Sequence, residues 1–195
     1  DPDNDGRPDI FYCNGHVYPE LDHIHADTTY RQPRVLYRNR GDGTFEDVSK
    51  LAGAAITTPE IGRGCAFGDI NNDGNVDIVI NNQNASPSLL VVTRENEYHW
   101  INFHLIGVKS NRSGIGARVR CVAGTLAQID EVRSGGSYLS QNDLRLHFGL
   151  GEHRAVDMLE IRWPSGHIDL FRGIEANHFV QVQEGGKLTV LRHKA

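Results

Sequence analysis

The chain has 195 residues, a formal net charge of −5 and a hydrophobic content of 38%, values that are ordinary for a globular protein. The acidic residues are concentrated in two short segments, which argues against nucleic acid as a partner. No apolar run approaches the roughly 20 residues of a membrane-spanning helix. The 21 glycines, many of them in Asn-Gly, Asp-Gly or Gly-Asp pairs, favour turn-rich β structure over helices.

The chain begins with an acidic segment, DPDNDGRPDI at residues 1–10, that returns as DINNDGNVDI at residues 69–78. Each has oxygen-bearing side chains at its first, third, fifth and ninth positions and glycine at the sixth. Ca²⁺ takes 6–8 oxygen ligands, whereas Mg²⁺ resists dehydration and suits such a loop less well. The pattern therefore predicts two calcium loops. Their predicted ligands are Asp1, Asp3, Asp5, Asp9 and the carbonyl of Arg7 in loop one, and Asp69, Asn71, Asp73, Asp77 and the carbonyl of Asn75 in loop two.

Two other structures compete for these segments. An EF-hand requires a bidentate Glu at the twelfth position and a following helix, but Tyr12 and Ile80 stand there and the next residues favour strands. A pair of Asx turns with solvated carboxylates is the second alternative. Because the pattern occurs in two matching copies, calcium binding is the better interpretation.

Further elements follow in chain order. IFYCNG predicts a strand, and a polar, histidine-rich connection follows it. VLYRNRGDGTFEDVS predicts a hairpin that turns at Gly41-Asp42-Gly43. LAGAAITTPEIGRG predicts a loop with about one helical turn. GCAFGDI and VDIVINNQN predict strands on either side of loop two, and SPSLLVVTRE closes this half.

From about residue 97 the sequence consists of short alternating segments, among them HWINFHLIGV, ARVRCVAG, LRLHFGLG, MLEIRWPSG, HFVQV and KLTVLR. Six or more such segments without a helical period predict an antiparallel sandwich or a small barrel. The preceding RENEYH is polar and typical of a linker. We therefore expect two domains, residues 1–96 and 97–195.

Several of these segments resemble known families. GRGCAFGDINNDGNVDIVI resembles an FG-GAP or VCBS repeat, and LYRNRGDGTFEDVS resembles the outer hairpin of that blade unit. NFHLIGVKSNRSGIGARVRC, EVRSGGSYLSQNDLRLHFGLG and LEIRWPSG are similar to the ASPIC/UnbV domain of the cartilage acidic protein-like family. The resemblance implies an all-β chain: a partial β-propeller of about one and a half blades, then an antiparallel β-sandwich, with Ca²⁺ in the loops.

The resemblance also implies a secreted protein, extracellular or periplasmic, without catalytic activity. We expect a calcium-binding adhesion or binding module, part of a larger propeller protein with further upstream blades. Its expected partner is a protein or glycan on the propeller face. Because the strand that would deliver Asp1 is absent, loop two is the safer calcium prediction. The alternative is an accessory domain of a secreted hydrolase or lyase, with catalytic residues upstream or in the histidine-rich connection.

Other motifs carry weaker hypotheses. His16, His23 and His25 lie within ten residues and suggest a transition-metal site, but no complete zinc spacing follows them. The tripeptide at residues 40–42, Arg-Gly-Asp, is an integrin-recognition sequence by composition, and the hairpin turn also explains it.

Two further groups of residues carry a catalytic hypothesis and a disulfide hypothesis. Three serines close to Asp143 and His147 suggest a catalytic triad; the serines are Ser134, Ser137 and Ser140. Closeness in sequence does not give triad geometry, so we favour a structural hairpin and loop. The three cysteines, Cys13, Cys65 and Cys121, favour buried thiols over a disulfide framework, and a Cys13–Cys65 bridge stays open.

Overall fold

The computed structural model describes residues 1–24, 27–93 and 96–191, and within these ranges the chain is built almost entirely of strands. The helical elements there are a 3₁₀ helix, Pro19–His23, and one short α-helix, α1, Ala54–Thr57. The all-β prediction and the single helical turn in the connection are therefore confirmed. Among the described residues, no helix combines the length and apolar character needed to cross a membrane.

The first half of the chain forms two antiparallel three-stranded sheets, each in sequential order. The first contains β1 (Ile10–Tyr12), β2 (Val35–Asn39) and β3 (Phe45–Asp47), and the second contains β4 (Gly62–Gly68), β5 (Asp77–Asn82) and β6 (Ser88–Leu90). The predicted hairpin is the β2–β3 pair, in which Asn39 lies opposite Phe45. Loop one leads into β1, and loop two joins β4 to β5.

A small apolar cluster joins these two sheets. Its buried members come from α1, β4, β5 and β6, and Phe11 of β1 packs against them together with Cys13, just after that strand; the buried members are Ile56, Cys65, Ile78, Ile80 and Leu90. Cys13, Cys65 and Cys121 are all free thiols. The bridge left open between Cys13 and Cys65 is therefore not formed in this structure.

Within residues 97–191, the described part of the second half, there are ten strands. They are β7 (His99–Ile106), β8 (Arg118–Ala123), β9 (Leu126–Glu131), β10 (Leu146–Gly151), β11 (Ala155–Val156), β12 (Met158–Arg162), β13 (Ile168–Phe171), β14 (Ile174–Glu175), β15 (His178–Gln183) and β16 (Leu188–Leu191). They form four-stranded sheets ordered β10-β7-β15-β16 and β13-β12-β8-β9, and the pair β11-β14.

One ladder departs from the predicted antiparallel arrangement, because β7 and β15 run parallel, with Ile101 opposite His178. Alternation in the sequence shows which face of a strand is buried, but it carries no information about the direction of the neighbouring strand. The prediction of a wholly antiparallel second half was therefore wrong at this ladder.

Both four-stranded sheets contribute alternate side chains to one large core. Ile101, Phe103 and Leu105 of β7 were predicted to share a face, and all three are buried in it. Val119 and Ile161 enter the same cluster from the other sheet. The large core therefore lies between strands of residues 97–191 and is separate from the small cluster of the first half.

Candidate functional site: two acidic loops against the C-terminal half

The two acidic loops have the same backbone. Asn4 and Asn72 occupy the fourth position with φ of 56° and 59°, and Gly6 and Gly74 occupy the sixth with φ of 85° and 86°. Asparagine tolerates the left-handed region better than most residues, and glycine enters it without steric cost. The sequence repeat is thus a structural repeat as well.

The first-position carboxylate organises each loop. Asp1 accepts hydrogen bonds from the N–H groups of the fifth and sixth positions at 3.0 and 2.9 Å. Asp69 accepts the equivalent bonds at 3.0 and 2.8 Å. Each first-position carboxylate therefore closes its own loop into a tight turn by accepting these two backbone hydrogen bonds.

The fifth and seventh positions also repeat. Asp5 accepts a 2.8 Å hydrogen bond from the N–H of Arg7, and Asp73 accepts one of 2.8 Å from the N–H of Asn75. The side chain of Arg7 is exposed and lies 3.4 Å from the carboxylate of Asp5. At the third position, Asn71 donates a 2.8 Å hydrogen bond to Asp73.

The ninth-position acids secure the neighbouring strand. Asp9 accepts a 2.8 Å hydrogen bond from the N–H of Asn39, at the end of β2. Asp77 accepts one of 2.9 Å from the N–H of Val92, just beyond β6, and a second of 3.1 Å from that of Ile70. These predicted ligands therefore also join each loop to the end of another strand of the same sheet or to the residues just beyond it.

Three of the predicted ligands meet in loop one, where Asp1, Asp3 and Asp5 offer carboxylate oxygens within 4.8 Å of one another. Asp9 is not a member of that group. Loop two has Asn71 at its third position, so it carries one carboxylate fewer there. The donors are all oxygens, which matches the preference of a hard cation such as Ca²⁺.

Burial makes these negative charges costly in the absence of a cation. Burial raises the pKa of Asp5, and repulsion from Asp3 adds to the effect. Burial likewise raises the pKa of Asp9 and of Asp69, although N–H groups of loop two partly stabilise the charge of Asp69. A bound divalent cation would offset this cost.

Asn4 joins loop one to both of its neighbours, and no pattern in the sequence marks it as a functional residue. Its side chain is fully buried. Its Nδ2 donates to the carbonyl of Gly74 in loop two at 2.9 Å. Its Oδ1 lies 2.7 Å from Nε2 of His147, and its carbonyl accepts a 2.9 Å bond from the N–H of Gly151.

Arg145 makes the corresponding connection to loop two. Its guanidinium donates to the carbonyl of Asp69 at 2.7 Å and to Oδ1 of Asn72 at 2.7 Å. It is also paired with Asp143 at 2.6 Å and lies 5.3 Å from the ring centre of Phe179. A cavity of about 300 Å³ lies beside this contact, between both loops and the C-terminal half; Asp1, Asp9, Asp69, Asp143, Arg145 and His147 are among its lining residues.

The structure does not assemble the suggested triad. The ring of His147 is bound to Asn4, and the carboxylate of Asp143 is bound to Arg145. The hydroxyl of Ser140 donates to the carbonyl of Tyr138. His147 and the Asp143–Arg145 pair therefore serve the contact between the loops and the C-terminal half, whereas the Ser140 hydroxyl has a local partner.

The histidine and Arg-Gly-Asp motifs have local roles. His16 accepts a 3.2 Å hydrogen bond from the N–H of Tyr18, His23 is exposed at the end of the 3₁₀ helix, and His25 lies outside the described residues. Asp42 accepts hydrogen bonds from the N–H and hydroxyl of Thr44 at 2.9 and 2.6 Å, which closes the hairpin turn.

Comparison with known proteins finds a family resemblance in each half of the chain. Residues 1–80 match the family model for the FG-GAP-like repeat, and residues 107–189 match that for ASPIC and UnbV. The chain is thus similar to an FG-GAP-like repeat in its first half and to ASPIC and UnbV in its second half. The resemblance seen in the sequence is thereby confirmed.

The chain is also similar to curated relatives named cartilage acidic protein 1. It is 48% identical to the Homo sapiens protein over 58 residues, which is 29% of this chain and 8% of the relative. It is 41% identical to the Xenopus tropicalis protein over 64 residues, 33% of this chain and 10% of the relative. It is 28% identical to the Mus musculus protein over 170 residues, 85% of this chain and 25% of the relative. The chain thus spans a quarter or less of the length of these relatives.

Proposed function

We propose that this chain is a non-enzymatic calcium-binding module of an extracellular or periplasmic protein, and that it serves binding or adhesion. Residues 1–96 form about one and a half propeller blades, and residues 97–195 form a β-sandwich. The observation that carries the calcium proposal is the repetition of one loop conformation, with the same φ values and the same carboxylate-to-backbone hydrogen bonds in both copies.

The wider context supports an extracellular binding role. Further upstream propeller blades are part of this proposal, because the family matched over residues 1–80 is a repeat. The name of the relatives refers to cartilage, a tissue that consists largely of extracellular matrix. The partner in this proposal is a protein or glycan on the propeller face. A glycan array and a pull-down, both with the full-length protein, are the means of identifying it.

A melting experiment in EGTA and in millimolar CaCl₂ tests the calcium proposal. Extracellular modules bind Ca²⁺ with Kd of roughly 10⁻⁴–10⁻³ M. At about ten times Kd, a ligand that binds only the folded state stabilises it by about 1.4 kcal/mol per site. Two sites would therefore raise the Tm of a chain of this size by about 6–12 °C.

Matched variants assign the effect to the loops. Asp5→Asn and Asp73→Asn should each remove a large part of the calcium-dependent rise in Tm. Glu175→Gln, which changes an exposed carboxylate on β14 outside both loops, should leave it intact. Equal Tm values in EGTA and in CaCl₂ would show that the loops do not bind calcium.

A further inference from the structure

Both acidic loops are attached to the C-terminal half through the residue at their fourth position, which the calcium pattern leaves unspecified. Asn4 lies against His147, and Asn72 lies against Arg145. These two partners are separated by one residue, at the start of β10. A single short segment of the C-terminal half therefore contacts both loops at equivalent places.

The contact to loop one is part-buried and uses the amide oxygen of Asn4, whereas the amide nitrogen donates to the carbonyl of Gly74 in loop two. The amide oxygen can only accept a hydrogen bond, so Nε2 of His147 donates to it. The ring of His147 is stacked on Trp100, with 6.0 Å between ring centres. A Cβ added to Gly74 would lie only 1.9 Å from the ring of Trp100, so loop two also packs closely on this aromatic pair.

The contact to loop two is made by one planar group with several donors. Arg145 donates hydrogen bonds to the main-chain carbonyl of Asp69 and to the side chain of Asn72 at the same time. Its pairing with Asp143 neutralises the charge that it brings near the loop. Both ends of the Asp69–Asn72 turn are thereby fixed relative to β10.

We propose that Arg145 and His147 are positioning residues for the two calcium loops, and that calcium binding and the docking of the C-terminal half stabilise each other. The inference rests on the proposed calcium function and identifies which residues outside the loops control it. A cation needs several oxygens held together at once, so residues that hold the loop backbone raise its affinity. By linkage, a bound cation must then strengthen the docking by the same factor.

Calcium titration calorimetry of Arg145→Gln is the direct test. Loss of a group that orients metal ligands typically weakens metal affinity by about 10–100-fold, and we expect a loss of that size at loop two. Arg162→Gln is the matched control, because Arg162 is likewise paired with an acid two residues away, Glu160 at 2.7 Å. Its neighbours in a surface pocket are Arg118, Arg120, Ile129 and Glu160, none of which belongs to an acidic loop. Its calcium Kd should stay within twofold of the wild-type value.

Asn72→Gly provides a second variant if Arg145→Gln folds poorly. Glycine keeps the left-handed backbone of this exposed position and removes only the side chain that Arg145 binds. We expect a smaller loss of affinity, on the order of several-fold. In the double variant, the combined loss should be less than the product of the two single losses, because both remove the same contact.

The outcomes separate this inference from the proposal beneath it. If the wild-type chain binds calcium and both Arg145→Gln and Asn72→Gly bind it equally well or more tightly, the positioning role is refuted and the calcium function stands. Absence of calcium binding by the wild-type chain would refute the calcium function, and the inference with it.

Discussion

Replacing Gly74 with alanine tests how closely loop two is packed on the C-terminal half. Gly74 has a φ of 86°, which an L side chain seldom adopts. An added Cβ would lie 1.9 Å from Cε2 and 2.0 Å from Nε1 of Trp100. That ring cannot move freely, because it is stacked on His147 and packed at 4.9 Å between ring centres on Phe179.

Two contributions lower the free energy of unfolding in the Gly74→Ala variant. The left-handed backbone costs a residue with a Cβ about 1–2 kcal/mol. Forcing a methyl group into a filled site costs about 1–3 kcal/mol more. The free energy of unfolding should therefore fall by about 2–5 kcal/mol, which corresponds to a Tm decrease of about 4–20 °C for a chain of this size.

Gly43→Ala separates the two costs. Gly43 has the same φ of 86°, but a Cβ added there would have no atom within 4 Å. Its substitution should cost only the backbone term, about 1–2 kcal/mol. Thermal melts followed by circular dichroism, in EGTA so that calcium does not contribute, give both values.

Tryptophan fluorescence gives an independent reading. Trp100 is 8% exposed in the wild-type structure, so displacement of its ring into water should shift the emission to longer wavelength in Gly74→Ala and not in Gly43→Ala. If the two variants have the same Tm and the same emission maximum, the close packing of Gly74 on Trp100 is incorrect.

Two further predictions follow from the shifted pKa values of cysteine thiols and of one carboxylate. A hydrogen bond from the Cys65 thiol lowers the pKa of Cys13 to about 7, so iodoacetamide should label Cys13 first, at a rate that rises through pH 7. Burial raises the pKa of Cys121 to about 12, and peptide mapping that shows faster labelling of Cys121 would contradict this. Burial acts to raise the pKa of Glu184, but hydrogen bonds from two serines and from backbone N–H groups outweigh it and hold the pKa at about 2. Since the ordinary Glu pKa is about 4.3, the stability that this carboxylate provides is complete above that pH and is lost as the pH falls towards 2. The Tm difference between wild type and Glu184→Gln should therefore be largest near pH 7 and shrink towards pH 2, and a difference independent of pH would count against this role.

Much of the fold was accessible from the sequence because its signals are local. The Gly41-Asp42-Gly43 turn predicted the β2–β3 hairpin, and the alternation in β7 predicted that Ile101, Phe103 and Leu105 share the core face. The direction of β15 beside β7 was not accessible, because it depends on how distant strands are arranged.

At the candidate site, too, the local features were accessible from the sequence and the contacts between distant residues were not. The spacing of acids around the glycines predicted where the loops lie, and the asparagines at the fourth position fit the left-handed backbone found there. The partners of these asparagines lie more than 70 residues away in the chain. No local pattern marks Arg145 or His147 as their neighbours, so those contacts required the folded structure.

The bond between Asn4 and His147 joins residues that are 143 positions apart, and this separation sets an order of events during synthesis. Loop one is translated well before β10, which holds it. Domains generally fold as they emerge, and contacts between distant residues form late. The nascent loop thus carries three neighbouring carboxylates without its C-terminal support until translation has passed β10.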